Sequence, residues 1–75
     1  MTFHLIFTDG TERDIEAVCV DRINGTIDYL ENGVVKRLDE SNPRLAHYYR
    51  TDDVQARFTA EWLKEKGYMP KGETH

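Results

Sequence analysis

The sequence has little cysteine, no long apolar run and no excess of positive charge. Its 75 residues include one cysteine, Cys19, which excludes an intramolecular disulfide, whereas a secreted domain of this length usually needs such bonds. The first ten residues hold no basic segment and only a short apolar stretch, which predicts neither a signal peptide nor a membrane span. We therefore expect a cytoplasmic protein.

The charge balance and the missing motifs exclude several functions. Ten Lys and Arg residues stand against 14 Asp and Glu residues, a formal net charge of −4, which disfavours a general binder of nucleic-acid phosphates. The cysteine and the three histidines are scattered without metal-ligand spacing, and no phosphate-binding loop or nucleophile motif is present. We expect no metal, no cofactor, no membrane contact and no small-molecule substrate, and we predict that the protein is not an enzyme.

The chain length limits the size of any core. By surface-to-volume scaling, a chain of 8.8 kDa buries only about 63% of the surface that it exposes when unfolded. A core of that size leaves no room for a substrate-sized cavity. We predict a single α+β domain over residues 1–70, followed by a mobile tail over residues 71–75.

Turn signals divide the first half of the chain into short segments rich in β-branched and aromatic residues. Three pairs of an Asx residue and glycine supply the positive φ angles that tight hairpins need. These pairs are Asp9-Gly10, Asn24-Gly25 and Asn32-Gly33. The pattern predicts a four-stranded antiparallel β-meander. Its strands cover residues 2–7, 11–23, 26–31 and 34–38.

The first hairpin is predicted to have a three-residue loop, Thr8-Asp9-Gly10, with Gly10 in the left-handed position of a bulge. This loop places one set of apolar side chains together on a buried face. The set comprises Phe3, Leu5, Phe7, Ile15, Ala17 and Cys19. Three carboxylates then lie on the opposite face of the second strand. They belong to Glu12, Asp14 and Glu16.

A second hairpin is predicted around Asn32-Gly33. A two-residue loop there keeps apolar groups together and sets opposite charges across from each other. The resulting cross-strand pairs are Leu30 with Val35, Asp28 with Arg37 and Ile27 with Leu38.

Residues 11–23 also fit a helix. Thr11 and Asp14 resemble a capping box, and apolar residues recur at helical spacing. The run from Val18 to Val20 favours a strand, because β-branched residues lose side-chain freedom in a helix. The sequence therefore leaves helix and strand open here, with strand favoured.

The second half of the chain predicts helical structure. Asn42 can cap a helix and Pro43 suits its first position, so residues 43–50 are predicted to form a short helix or an irregular segment. A clearer amphipathic helix follows, with Asp52 as its N-cap and Gly67 just past its end. Two apolar ridges of this helix are expected to pack on the sheet. They are Phe58 with Trp62, and Ala56 with Ala60 and Leu63.

Together these elements predict an α+β fold. A four-stranded antiparallel meander is packed on one face by a C-terminal amphipathic helix, with a short helical or irregular segment between the sheet and the helix. Such a sheet has a free strand edge. A second copy can pair there to form a homodimer, or another chain can add a strand.

Two surface features carry biased chemistry. The first is the acidic row of Glu12, Asp14 and Glu16, which is typical of a solvated sheet face but also suits contact with a basic partner. The second runs from Arg44 to Arg50 and combines arginine with aromatic side chains, which are frequent in binding hot spots. Its candidate contact residues are Arg44, His47, Tyr48, Tyr49 and Arg50. The competing interpretation is that these residues help to close a small core.

The functional hypothesis is a small non-enzymatic protein-interaction domain, a regulator or inhibitor that acts by surface contact. It uses the acidic sheet face and the segment from Arg44 to Arg50, and its partner is a protein, with a basic one favoured. The alternative is a nucleic-acid-binding module, because tyrosine and arginine also stack on bases and contact phosphates. That module would use Arg44, Tyr48, Tyr49 and Arg50.

Overall fold

The structure is a computed structural model that describes residues 1–70, and within this range it contains one antiparallel sheet and one helix. The elements are β1 (Thr2–Phe7), β2 (Glu12–Asp21), β3 (Thr26–Glu31), β4 (Val34–Asp39), β5 (Leu45–Arg50) and α1 (Val54–Glu65). The strands follow the order β4-β3-β2-β1-β5. The α+β class is therefore confirmed, but the described sheet has five strands where four were predicted. The predicted tail over residues 71–75 lies outside the described residues.

The first hairpin has the predicted three-residue loop. The backbone N–H of Phe7 donates to the carbonyl oxygen of Thr11 at 2.8 Å, and that of Gly10 donates to Phe7 at 3.0 Å. Gly10 has a φ of 90°, which an L side chain rarely tolerates. Phe3 consequently lies across from Ile15, and β2 is a strand rather than the alternative helix.

A β-bulge in β2 overturns one predicted burial. Ala17 pairs with Tyr29, but the next pair along the ladder joins Cys19 to Asp28, so Val18 is an extra residue. One extra residue reverses which side chains face the core. Cys19 is therefore exposed and not buried as predicted, while Val20 packs against the core in its place.

The hairpin between β3 and β4 has the predicted register. Asn32 and Gly33 have φ angles of 53° and 78°, which are the two positive values that a tight two-residue turn requires. The predicted pairs are all formed. They are Leu30 with Val35, Asp28 with Arg37 and Ile27 with Leu38.

The fifth strand corrects the prediction of a short helix or an irregular segment over residues 43–50, because only residues 43–44 form a turn and residues 45–50 are a strand. β5 pairs antiparallel with the free edge of β1, and the N–H of Thr8 donates to the carbonyl oxygen of Arg44 at 2.8 Å. Asn42 does not cap a helix, because its side chain accepts the N–H of Arg44 in a local turn. β1 carries Leu5 and Ile6, which are buried on opposite faces, so a partner strand on this edge shields both.

The first core lies on the sheet face that α1 does not cover. It consists of Phe3, Leu5, Ile15, Ala17, Ile27 and Leu38. Since no helix covers this face within residues 1–70, these side chains are buried against each other and against partly buried residues of the strands, such as Val20 and Tyr48. The hydroxyl of Tyr48 on β5 donates to Glu40, which follows β4, so the two ends of the curved sheet meet.

The second core joins α1 to the other face of the sheet. Ile6, Ala60 and Met69 are buried in it, with Tyr49 and Leu63 packed against them. Met69 packs into this core because the chain reverses direction at Gly67, whose φ is 81°. The N–H of Tyr68 donates to the carbonyl oxygen of Leu63 at 2.9 Å in this turn. The predicted glycine ending of the helix is confirmed.

Two predictions about α1 are wrong. The N-cap is Asp53, whose carboxylate accepts the N–H of Ala56 at 3.0 Å, and not Asp52. The ridge of Phe58 and Trp62 does not pack on the sheet, because successive helical residues are rotated by about 100°. Phe58 and Trp62 each lie two positions from the buried Ala60, so both are about 160° away from the sheet.

Within residues 1–70, no helix combines the length and the apolar character needed to cross a bilayer.

Candidate functional site

The acidic row lies on one face of β2, but its carboxylates already have cationic neighbours. An oxygen of Glu16 lies 2.8 Å from the amino-terminal nitrogen of Met1. An oxygen of Glu12 and one of Asp14 each lie 2.6 Å from a ring nitrogen of His4. The row is therefore largely compensated within the molecule, and it is not a free anionic ridge.

His4 is held between two carboxylates. Its Nδ1 lies 2.6 Å from Oδ1 of Asp14, and its Nε2 lies 2.6 Å from Oε1 of Glu12. Only the imidazolium form donates from both ring nitrogens. Burial by itself lowers the pKa of His4, but the hydrogen bonds with Asp14 and Glu12 outweigh it and raise the pKa above the ordinary value of 6.5.

Lys64 connects this cluster to the helix. Its Nζ lies 2.9 Å from Oε1 and 2.8 Å from Oε2 of Glu12, so α1 is tied to β2 across the sheet face. Burial alone raises the pKa of Glu12, but hydrogen bonds from Lys64 and His4 lower it below its usual value. We call His4, Glu12, Asp14 and Lys64 the polar clamp, because they hold the helix against the sheet.

Sequence reasoning missed His4 and Lys64 as members of the clamp. The predicted loop already placed His4 across from Asp14, so the pairing of β1 with β2 contained a signal for the histidine. Lys64 had no such signal, since 52 residues separate it from Glu12 along the chain.

The segment from Arg44 to Arg50 does not form one contact surface. Tyr48 lies across from Leu5 and packs edge-on against Phe3 at a centroid distance of 5.8 Å, in the first core. Tyr49 lies on the opposite face, 5.3 Å from the ring of His4, beneath the helix. Because neighbouring strand residues point to opposite faces, the two tyrosines cannot stack on the same ligand.

Of the remaining candidates, His47 lies next to Tyr49, with ring centroids 6.1 Å apart, while the two arginines lie at opposite ends of the segment. Arg50 forms an ion pair with Asp52 at 2.8 Å, and His47 is half-buried, with burial lowering its pKa. Arg44 lies at the other end of β5, beside an open depression of about 400 Å³ that Phe7 also lines. The candidate residues are therefore divided among several places on the sheet.

The described part of the chain gives little support to a metal site or to an enclosed cavity for a small ligand. Between residues 1 and 70, no group of three His, Cys, Asp or Glu side chains is arranged to hold a metal ion. A depression of about 320 Å³ beside the polar clamp is lined partly by Arg57 and Glu61 and is open to solvent. Such a surface suits contact with another macromolecule better than enclosure of a small ligand.

The outward side of α1 carries a cluster of exposed apolar side chains. We call it the aromatic stripe, and it comprises Val54, Phe58, Trp62 and Tyr68. Phe58 is 63% exposed, Trp62 is 52% exposed and Tyr68 is 74% exposed, while Ala60 on the inner side is fully buried. The rings of Trp62 and Tyr68 lie 6.0 Å apart, so they form a continuous apolar surface.

Sequence reasoning assigned Phe58 and Trp62 to the core, although their angular position could have revealed the stripe. Small residues such as Ala60 lie on the opposite side of the helix and permit close approach to the sheet. A helix cannot bury two sides about 160° apart against a single sheet face.

No protein-family model, no curated protein and no solved structure matches this chain.

Proposed function

We propose that this protein is a small, non-enzymatic protein-interaction domain that regulates or inhibits its partner by surface contact. The aromatic stripe is the single observation that carries this proposal. Exposed aromatic side chains on a rigid helix supply large apolar contact areas with few rotatable bonds, and such residues dominate binding hot spots. None of the three aromatic side chains of the stripe belongs to either core.

The charges beside the stripe define the kind of partner. Arg57 and Lys66 border it together with Glu61 and Glu65, and all four are exposed. A nucleic acid would meet repulsion from the two glutamates, while a partner of one charge sign would find only half of the border complementary. The occupant that fits is a helix of a protein, with an apolar ridge flanked by charges of both signs.

The polar clamp has a supporting role in this proposal. Glu12 and Asp14 face His4 and Lys64, so these carboxylates orient α1 instead of attracting a basic partner. Within the acidic row, Glu12 thus acts through the helix that it holds. The nucleic-acid alternative has less support, because Tyr48 and Tyr49 lie on opposite faces of the sheet.

Site-specific photocrosslinking in the cells that make the protein tests the proposal. A benzophenone amino acid replaces Gln55, which borders the stripe, and in a control it replaces Lys36, an exposed residue on β4. We expect a discrete protein adduct from position 55, its loss on Trp62→Ala, and a cross-linked peptide of amphipathic helical pattern. Adducts to nucleic acid, or equal adducts from both positions, would contradict the proposal.

A further inference from the structure

The aromatic stripe is complementary in shape to a second copy of itself. Its helical residues follow a spacing of four, with the smaller Val54 at one end, Phe58 in the middle and the larger Trp62 at the other end. If two α1 helices pack antiparallel about a two-fold axis near Phe58, then Val54 of each copy lies near Trp62 of the other. A large side chain then meets a small one at each end of the contact, and the two Phe58 rings meet at its centre.

The charges on one flank of the stripe select this antiparallel arrangement. Arg57 and Glu61 lie one helical turn apart on the side of α1 that faces β2. An antiparallel two-fold pair brings the same flank of both helices together, so Arg57 of each copy lies near Glu61 of the other. In a parallel two-fold pair these flanks lie on opposite sides of the contact, and no such pairs form. The guanidinium of Arg57 lies 5.7 Å from the centroid of Phe58, so the cation already borders the apolar contact.

The free edge at β4 is less suited to self-pairing. Its central residues are Lys36 and Arg37, and a two-fold pairing of β4 with itself would place cations of both copies next to each other. Lysine on an exposed edge is a common means of preventing such pairing. The helix surface therefore fits a second copy better than the predicted sheet-edge dimer does.

We propose that two copies of this chain associate through their aromatic stripes, with the α1 helices antiparallel. This inference rests on the proposed function and names the partner helix as α1 of a second copy. A helix of 12 residues is about 18 Å long, so the contact is smaller than the roughly 800 Å² per partner of a stable complex. The dimer is therefore weak, with a dissociation constant on the order of 10 to 100 µM.

Sedimentation equilibrium of the purified chain from about 1 µM to about 1 mM tests this inference. Charge reversal by Arg57→Glu or Glu61→Arg is expected to weaken the dimer at least about tenfold, since each creates two like-charge contacts across the interface. The double variant restores the reciprocal pairs and should recover most of the affinity. Arg44→Glu, which makes the same charge change away from α1, serves as the matched control.

The apolar part of the contact has a separate test. Trp62→Ala is expected to raise the dissociation constant at least about tenfold, and circular dichroism checks that each variant keeps its helix. A wild-type chain that stays monomeric throughout the range would overturn the inference. So would a dimer that these α1 variants leave unchanged. If the benzophenone at position 55 cross-links to a different protein in cells, the proposed function stands. Only the identification of the partner as a second copy of this chain is then wrong.

Discussion

The two faces of the curved sheet are covered in different ways. On one face, strand residues from β1 to β4 bury each other, and hairpin partners supply most of the contacts. On the other face, a small apolar contact of Ile6, Ala60 and Met69 is accompanied by the polar clamp. The first core makes the sheet, whereas the second attaches a helix whose outward side stays free. Stability and surface display are thus assigned to different parts of the molecule.

Removal of a side chain from the first core gives the largest expected effect. Ile27 is among the most deeply buried side chains described, so Ile27→Ala should lower the free energy of unfolding by about 3 kcal/mol. Chemical denaturation measures this loss. Leu30→Ala on the same strand is the control, because Leu30 is exposed and its replacement should cost less than about 0.5 kcal/mol. Equal losses at both positions would mean that the sheet does not curve around a core.

Breaking the polar clamp should have an intermediate effect that is confined to the helix. Glu12→Gln leaves the cations of His4 and Lys64 without their shared carboxylate and should cost about 1 to 2 kcal/mol. Hydrogen exchange of the α1 amides should speed up more than that of the β3 amides. Glu16→Gln makes the same chemical change on the same strand and should leave α1 exchange nearly unchanged. Uniform acceleration across the sheet would show that the two faces are one cooperative unit.

The pH dependence of the clamp is expected to be smaller. Since the pKa of His4 is raised in the folded protein, the folded state holds the proton more tightly than the unfolded chain does. This stabilisation is fully present below the ordinary value of 6.5 and is lost as the pH rises through the raised pKa. Unfolding measured from about pH 6 to about pH 9 should show this loss in wild type and not in His4→Gln. Glu12 titrates below this window, and His47, whose pKa is lowered, shifts stability in the opposite direction.

The outward side of α1 should give the smallest effect on folding. Trp62→Ala removes a side chain that is half exposed, so the free energy of unfolding should change by less than about 0.5 kcal/mol. The denaturation midpoint at low protein concentration measures it, where self-association does not contribute. A loss comparable to that of Ile27→Ala would mean that the stripe belongs to the core, and it would remove the basis of the proposed interaction surface.

Local patterns predicted much of the sheet. The pairs of Asx and glycine have strong backbone preferences, so Gly10 and Asn32-Gly33 placed two hairpins and their registers correctly. The burial of Cys19 was predicted wrongly, because a bulge at Val18 has no clear signal in a run of β-branched residues. β5 was not predicted because Asn42 and Pro43 suit a helix start and a turn equally well. Whether the following residues form a helix or a strand depends on the free edge of β1, with which they pair.

The candidate site was less predictable than the fold. Glu12, Asp14 and Glu16 were placed on one face from the period of the strand, but alternation alone cannot say what covers that face. The cation that meets Glu12 comes from Lys64, and the sequence contains several other exposed lysines and arginines. The aromatic stripe was misplaced because Phe58 and Trp62 look like core residues by composition, and only their angle relative to Ala60 distinguishes them.

By itself, the sequence determined the α+β class, the hairpin turns and the glycine ending of the helix, because these follow from backbone preferences and spacing within a few residues. The tertiary structure alone decided which side of α1 meets the sheet and that residues 45–50 complete the sheet. It also decided that His4 and Lys64 neutralise Glu12 and Asp14 of the acidic row. Those outcomes depend on contacts between distant segments, which form only when the sheet curves and presents both of its faces.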